Sequence, residues 1–358
     1  MTKSYSTFEK IELTPEEVIQ CSYSNWSKYF PQNIFPSKVI KPVPSSFLEY
    51  LASESIKLPG REAEVQINSD NEYSDWEEDE QIQEVEGEEE SKQEEEVEKV
   101  SDSSLVDFQD EIFTYMNELG GHITPKLNWS SPKDAKWILA GNTTKCSCID
   151  DIFLLLKSSD HIVDDLDFPF SAVENNTSLP IEYELVLKQW QDINPALEFR
   201  VFIKDEKILG ISQRDLNHYE YLQELQPNLN QKISEFIYDK IIPTIGSHTT
   251  LEKYIVDVYI PRPFNKIYII DINPFSRKTD SLLFAWNELL ILDTSTIHDD
   301  AYEFRIINET NLGAFAKKEF SESQVPIDVI GASYDTEAMI QLARQWNELQ
   351  LREQDKKE

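Results

Sequence analysis

The sequence predicts an α+β fold built on antiparallel sheets, and three observations carry that prediction. Beyond residue 120 strand-like and helix-like patterns alternate, and two pairs of apolar strands are each joined by a short turn rather than a crossover helix. A chain of 358 residues that is 40% hydrophobic and 11% aromatic can also bury a large core. The expected organisation is an N-terminal helical segment packed on the core (1–69), an acidic loop (70–102), the core (103–300) and a C-terminal extension ending in a helix (301–358).

The elements follow in order from local chemistry. Thr14 with Glu17 three residues on, and Pro15 at the first helical position, start a helix. The aromatics of "VIQCSYSNWSKYF" suit that segment to docking on the main body. Residues 70–100 hold sixteen Asp or Glu against Lys92 and Lys99, supply −14 of the net charge and have almost nothing to bury, which predicts a disordered loop. Two readings of it stand: a solvating linker, or a lure for a basic partner or phosphorylation platform around Trp76 in "NEYSDWEEDE". "SLVDFQDEIFTYMNELGG" predicts an amphipathic helix with Val106, Ile112, Phe113 and Met116 near helical spacing, stopped by Gly120 and Gly121. "HITPKLNW" and "WILA" read as strands, "SCIDDIFLLLKSS" as a helix and "IEYELVLKQW" as a strand. "EFRVFIKDEKILGISQRD" reads as a hairpin turning near Asp205 and Glu206, "LNQKISEFIYDKII" as a helix, and "YIVDVYIPRPFNKIYIIDINP" as a second hairpin about a loop at 261–266.

The net charge of −34 opposes unassisted binding to nucleic acid or an anionic membrane, because a phosphate backbone repels such a field. Basic or protein partners are expected instead. No apolar run approaches the roughly 20 residues of a membrane span, and "MTKSYSTFEK" is too polar for a signal peptide, so a soluble, cytoplasmic chain is expected; a monomer is expected as well. Three cysteines, Cys21, Cys146 and Cys148, argue against a disulfide framework. Cys146 and Cys148 lack the companion Cys or His cluster of a metal site.

The stretch "KIYIIDINPF" carries the chemistry. Ile267, Ile269, Ile270 and Ile272 suit a buried or half-buried strand, yet Asp271 and Asn273, two apart, share one face of the pleat. Folding the hairpin symmetrically about 261–266 brings Asp257 opposite their neighbourhood. Two carboxylates so close shift a proton or recruit a hard cation that takes oxygen ligands, such as Mg²⁺. The same residues could equally end a strand with side-chain turns ahead of Pro274. Mg²⁺ held by few side chains keeps waters and binds phosphates, which directs attention to Lys126, Arg200 and Arg214. Each is a cation in or at the end of an apolar strand, where an unpartnered charge is costly. Singly each reads as half of a salt bridge; converging beside the carboxylates, they favour a polyphosphate. Neither G-x-x-x-x-G-K-[ST] nor G-x-G-x-x-G occurs, which disfavours a P-loop, a Rossmann pocket and a protein kinase loop.

The blocks "PKLNWSSPKDAKWI", "CIDDIFLLLKSSD", "IEYELVLKQW", "EFRVFIKDEKILGISQRD", "YIVDVY", "IDINPF" and "TDSLLFAW", in this order, resemble the cell division cycle protein 123 family. "CSYSNW" and "SDWEEDE" extend the resemblance over most of residues 10–290. It implies an ATP-grasp-like fold, in which two α+β lobes with antiparallel sheets enclose a nucleotide cleft. It also implies an ATP- and Mg²⁺-binding assembly factor that docks on the gamma subunit of translation initiation factor 2 and promotes formation of its three-subunit complex. On that resemblance Asp257, Asp271 and Asn273 hold the metal, and Lys126, Asn128, Lys133 and Asp134 line the phosphate and nucleotide side. Glu184, Leu185, Val186 and Leu187 would edge the adenine through backbone groups, and Arg200 and Arg214 would neutralise phosphate oxygens. Lys133 stands where the family often has arginine, and Ser276 where it has glycine after "NPF".

Two further function classes remain open beside a binding protein. A working ATP-grasp ligase or phosphotransferase, acting on a protein or a small carboxylate, would need a second-substrate cradle beside the γ-phosphate, which the sequence does not identify. An acidic chaperone for basic proteins has residues 70–100 as its support.

Overall fold

Two sheets meet at the centre of the computed structural model, which describes residues 11–53, 103–173, 178–295 and 301–308. The first sheet has the order β1 (Ser37–Ile40), β3 (Leu185–Gln189), β2 (Ile123–Leu127), antiparallel throughout. The second has the order β7 (Tyr268–Pro274), β6 (Lys253–Tyr259), β4 (Glu198–Lys204), β5 (Lys207–Gln213), β8 (Glu303–Arg305). Its pairs are antiparallel apart from β5 and β8 at one edge. The expected class is met: α+β, with two sheets that are antiparallel but for one edge pair.

Alternation along the strands decides where each core sits. Leu185 and Leu187 turn to one side of the first sheet, where they join Ile123 and Leu127 under Phe47 of α3 (Ser45–Ala52), Ile112 of α4 (Ser103–Glu118) and Phe153 of α5 (Ile149–Lys157). Val186, between them, belongs to the other core. On the second sheet Phe199, Val201 and Ile203 pack with α7 (Tyr221–Phe236), a π-helical turn at Ile237–Ile241 and α8 (Ile242–His248). Phe202, of opposite parity, packs with Phe275, Phe284 and Trp286, the last at the start of α9 (Trp286–Ile291).

The N-terminal helix begins as expected: Thr14 N–H donates to Glu17 at 2.7 Å and Glu17 N–H to Thr14 Oγ1 at 3.2 Å. It runs in two pieces, α1 (Pro15–Gln20) and α2 (Tyr23–Ser27), and fully buries Trp26. Trp129 Nε1 donates to Val18 O at 2.8 Å, so this segment docks beside the end of β2. The first hairpin turns at Asp205 and Glu206, with φ of 50° and 61°, as a two-residue antiparallel turn requires.

Three expectations change. The buried stripe of α4 is Leu105, Phe108, Ile112 and Met116, whereas Val106 and Phe113 are 46% and 59% exposed. Both phases fit a helical period, and tertiary packing selected one. "WILA" is a 3₁₀ turn at Lys136–Ile138 with Trp137 exposed, too short an apolar run to pair as a strand. Residues 303–305, beyond the expected core boundary, add an edge strand beside β5. The acidic loop at 70–102 and the expected terminal helix lie outside the described residues.

Candidate functional site

A β-bulge builds the site. Val258 pairs with Ile269, but the register shifts so that Asp257 pairs with Asp271 and Ile270 is the extra residue. Without the shift Asp257 would face Ile270, and the remaining side chains of β7 would turn to the opposite face. With it, Ser212, Arg200, Asp257 and Asp271 form one row across β5, β4, β6 and β7.

Each carboxylate in this row has its own cation. Arg200 grips Asp257 through Nε to Oδ1 at 2.7 Å and Nη2 to Oδ2 at 2.8 Å, both side chains buried. Arg214 reaches Asp257 Oδ2 at 3.3 Å and Glu198 at 3.2 Å. Burial alone would raise the Asp257 pKa, but Arg200, Arg214 and Lys133 outweigh it and hold the carboxyl well below the usual range. Asp271 is met by Lys126 of the first sheet, Nζ to Oδ2 at 2.5 Å, with Lys126 only 2% exposed. Each of the facing carboxylates is therefore met by a cation of its own. Asn273 Nδ2 lies 3.5 Å from Asp257 Oδ2, so the three expected metal ligands adjoin.

The first sheet brings a surplus of cations. Lys188 donates to Ile270 O at 2.8 Å and sits 4.5 Å from the Tyr23 ring centroid. Burial, with Lys126 beside it, pushes its amine down to about 7. The Arg214 charge and burial push Lys133 down to about 8. Five cations (Lys126, Lys133, Lys188, Arg200 and Arg214) thus gather around four carboxylates (Asp257, Asp271, Glu198 and, near Lys126, Asp165) inside a chain of net charge −34. Such a cluster suits a polyanion. Among the described residues no group of three His, Cys, Asp or Glu is placed to hold a metal. Oxygen ligation would rest on Asp257, Asp271 and Asn273, the first two now engaged by cations.

The other expected residues sit at the margins of this cluster. Asn128 Nδ2 donates to Glu182 O at 3.2 Å, and its Oδ1 accepts from Glu184 N–H at 2.9 Å. Asp134 accepts from Ser159 Oγ at 2.6 Å, turned to the start of α6 (Asp160–Asp167). The buried Glu184 carboxylate accepts from Ser24 N–H at 2.8 Å and lies 3.5 Å from Lys41 Nζ. Leu185, Val186 and Leu187 lie in a central strand with partners on both edges, which engages their backbone in the sheet. Ser276 is outside the positive-φ residues, so this turn does not require glycine.

Lys188 and Glu198 join the site without having been singled out by sequence. Lys188 carries the signal that marked Lys126, a cation in an apolar strand, and Glu198 lies two residues from Arg200 on the same face. A cavity of about 910 Å³ between the loop 31–36, Gln189, α7 and the turn 264–268 shares no residue with this cluster.

Comparison with known proteins places these features in a family. The family model D123 matches residues 26–333. A Candida albicans protein named translation initiation factor eIF2 assembly protein is 56% identical over 358 residues, covering 98% of this chain and 99% of the relative. A Candida glabrata protein named cell division cycle protein 123 is 43% identical over 364 residues, covering 99% and 98%. The solved structure of Cdc123 from Schizosaccharomyces pombe is similar at a TM-score of 0.64 and 31% identity, over 84% of this chain and 100% of that one.

Proposed function

The chain belongs to the D123 family, and on that footing we propose that it is an assembly factor for translation initiation factor 2 that binds the gamma subunit and carries Mg-ATP between its two sheets. The observation that carries the nucleotide reading is the surplus of cations, buried (Lys126, Arg200) and half-buried (Lys133, Lys188, Arg214), with two lysines held below their ordinary pKa. The assembly reading is supported by near-full-length similarity to relatives named for that role.

Bound Mg-ATP would supply a polyanion together with a divalent cation. Lys126, Lys133, Lys188, Arg200 and Arg214 would take phosphate oxygens, and Asp257, Asp271 and Asn273 would hold Mg²⁺. The pairs present without ligand keep both sets in place: Asp271 would exchange Lys126 for the metal, and Lys126 would exchange Asp271 for phosphate. Charge stays compensated in each arrangement, so neither set is left unpartnered in a buried site. The adenine would lie along Glu184 to Leu187, with the chain just beyond β3 offering further backbone groups, because the backbone of Leu185 to Leu187 is paired on both edges.

The test is a pull-down of the full chain with isolated gamma subunit, after nuclease treatment, with and without Mg-ATP. Direct capture is expected. If the gamma subunit fails to bind the wild type, the assembly reading falls. Catalytic release of ADP with a partner present would instead favour a ligase or phosphotransferase.

A further inference from the structure

One short helix touches both halves of the charged cluster. From the first lobe, the loop after β2 lies along α6: Asp165 accepts from Ser130 N–H at 2.8 Å and from Ser130 Oγ at 3.0 Å. At the other end of the helix, Asp134 accepts from Ser159 Oγ at 2.6 Å and from His161 N–H at 3.4 Å. The stretch carrying Lys133 is thereby held at both ends. From the second lobe, Lys278, four residues beyond the end of β7, donates to Asp164 at 2.6 Å and to Phe168 O at 2.7 Å.

These contacts are unlike ordinary surface pairing. Asp165 is 7% exposed, and its carboxylate accepts both of these hydrogen bonds from the loop. A buried carboxylate is costly unless its acceptors are filled, so the loop position that fills them is strongly selected over others. Lys278 holds the chain that follows Asn273, which ties the carboxylate-bearing hairpin to the same helix. Lys126 and Lys133 lie on one side of this connection and Asp271 and Asn273 on the other.

We propose that α6 is a brace that sets the spacing between the lysine-bearing loop and the carboxylate-bearing hairpin, with Asp165 as the positioning residue of the loop and Lys278 as that of the hairpin. This rests on the Mg-ATP reading for its effect on ligand, but the brace itself has a readout without ligand. Asp165 would act by fixing Ser130, and through it the path to Lys133. Distal phosphates gain most from that spacing, so ATP should suffer more than AMP.

The experiment uses the full-length protein in two arms. In the first, amide hydrogen exchange is followed at residues 128–134 without nucleotide in wild type, Asp165→Ala and Asp165→Asn. Faster exchange at Ser130 in the Ala variant, restored in Asn, which keeps one acceptor oxygen, supports the brace; unchanged exchange overturns it. In the second, Mg-ATP and Mg-AMP are titrated calorimetrically into the same variants and Lys278→Met. Asp165→Ala and Lys278→Met should each weaken ATP about tenfold, the worth of one charge-assisted hydrogen bond, and AMP far less. Equal weakening of both nucleotides, or none, overturns the positioning role. Failure of the wild type to bind Mg-ATP overturns the nucleotide reading and this role with it, while the exchange arm still decides whether the helix holds the loop.

Discussion

On the second sheet Arg200 and Asp257 are both buried and grip one another through two hydrogen bonds, with Arg214 and Glu198 continuing the row. On the first sheet Lys188 offers its ammonium to a backbone carbonyl and the face of Tyr23, with its pKa pushed down to about 7. One half of the site is charge-balanced without ligand, and the other gains its balance when an anion arrives. Loss of the Arg200–Asp257 pair should therefore cost folding as well as binding, whereas loss of Lys188 should cost binding alone.

Arg200→Met breaks that comparison most severely. It leaves the buried Asp257 short of its bidentate partner, and removing one side of a buried pair costs about 3–5 kcal/mol of folding stability. Lys188→Met removes a desolvated cation of similar shape and should leave ligand-free stability unchanged or slightly raised. Urea denaturation of both variants reads the contrast; equal losses would erase it.

Lys126→Met comes next in size. If Lys126 exchanges Asp271 for phosphate as proposed, it should contribute about 10- to 100-fold to ATP affinity, as charge-assisted hydrogen bonds do, and much less to AMP. Calorimetric titration of both nucleotides checks this. Equal weakening would mean that Lys126 serves the fold through Asp271 instead.

The smallest effect is a proton. With pKa values pushed down to about 7 and about 8, Lys188 and Lys133 are partly neutral at pH 8. A bound polyanion favours their charged forms and raises both values, so protons are taken up on binding, up to about 1.4 per ATP at that pH (about 0.9 at Lys188 and about 0.5 at Lys133). The uptake should shrink toward pH 6, where both amines are already charged. Titrations in two buffers of different ionisation enthalpy measure it, and identical heats in both would contradict the lysine surplus.

How far the sequence foretold this site depends on which force placed each residue. Cations and acids inside apolar strands were visible because burying charge is costly, so Lys126, Arg200, Arg214, Asp257 and Asp271 stood out and do converge. The bulge at Ile270 was not visible, since one extra residue leaves the apolar pattern of β7 nearly unchanged while moving Asp271 into the row. Asp134 lies in a family block, but its carboxylate is turned to the start of α6 by Ser159, a contact made across 25 residues that local pattern does not encode. The central position of β3 was equally hidden, because apolar strands of either edge or centre read alike. Strand β8 is three residues long, below the length at which alternation can be seen.

The central claim is that the surplus of cations between the two sheets serves a nucleotide polyphosphate. Titrating the full-length protein with ATP and with AMP, each in the presence of Mg²⁺, tests it most directly. Saturable binding of ATP, with AMP weaker by at least about tenfold for loss of the phosphates that these cations would meet, is the expected result. Absence of ATP binding, or equal affinity for the two nucleotides, would contradict it.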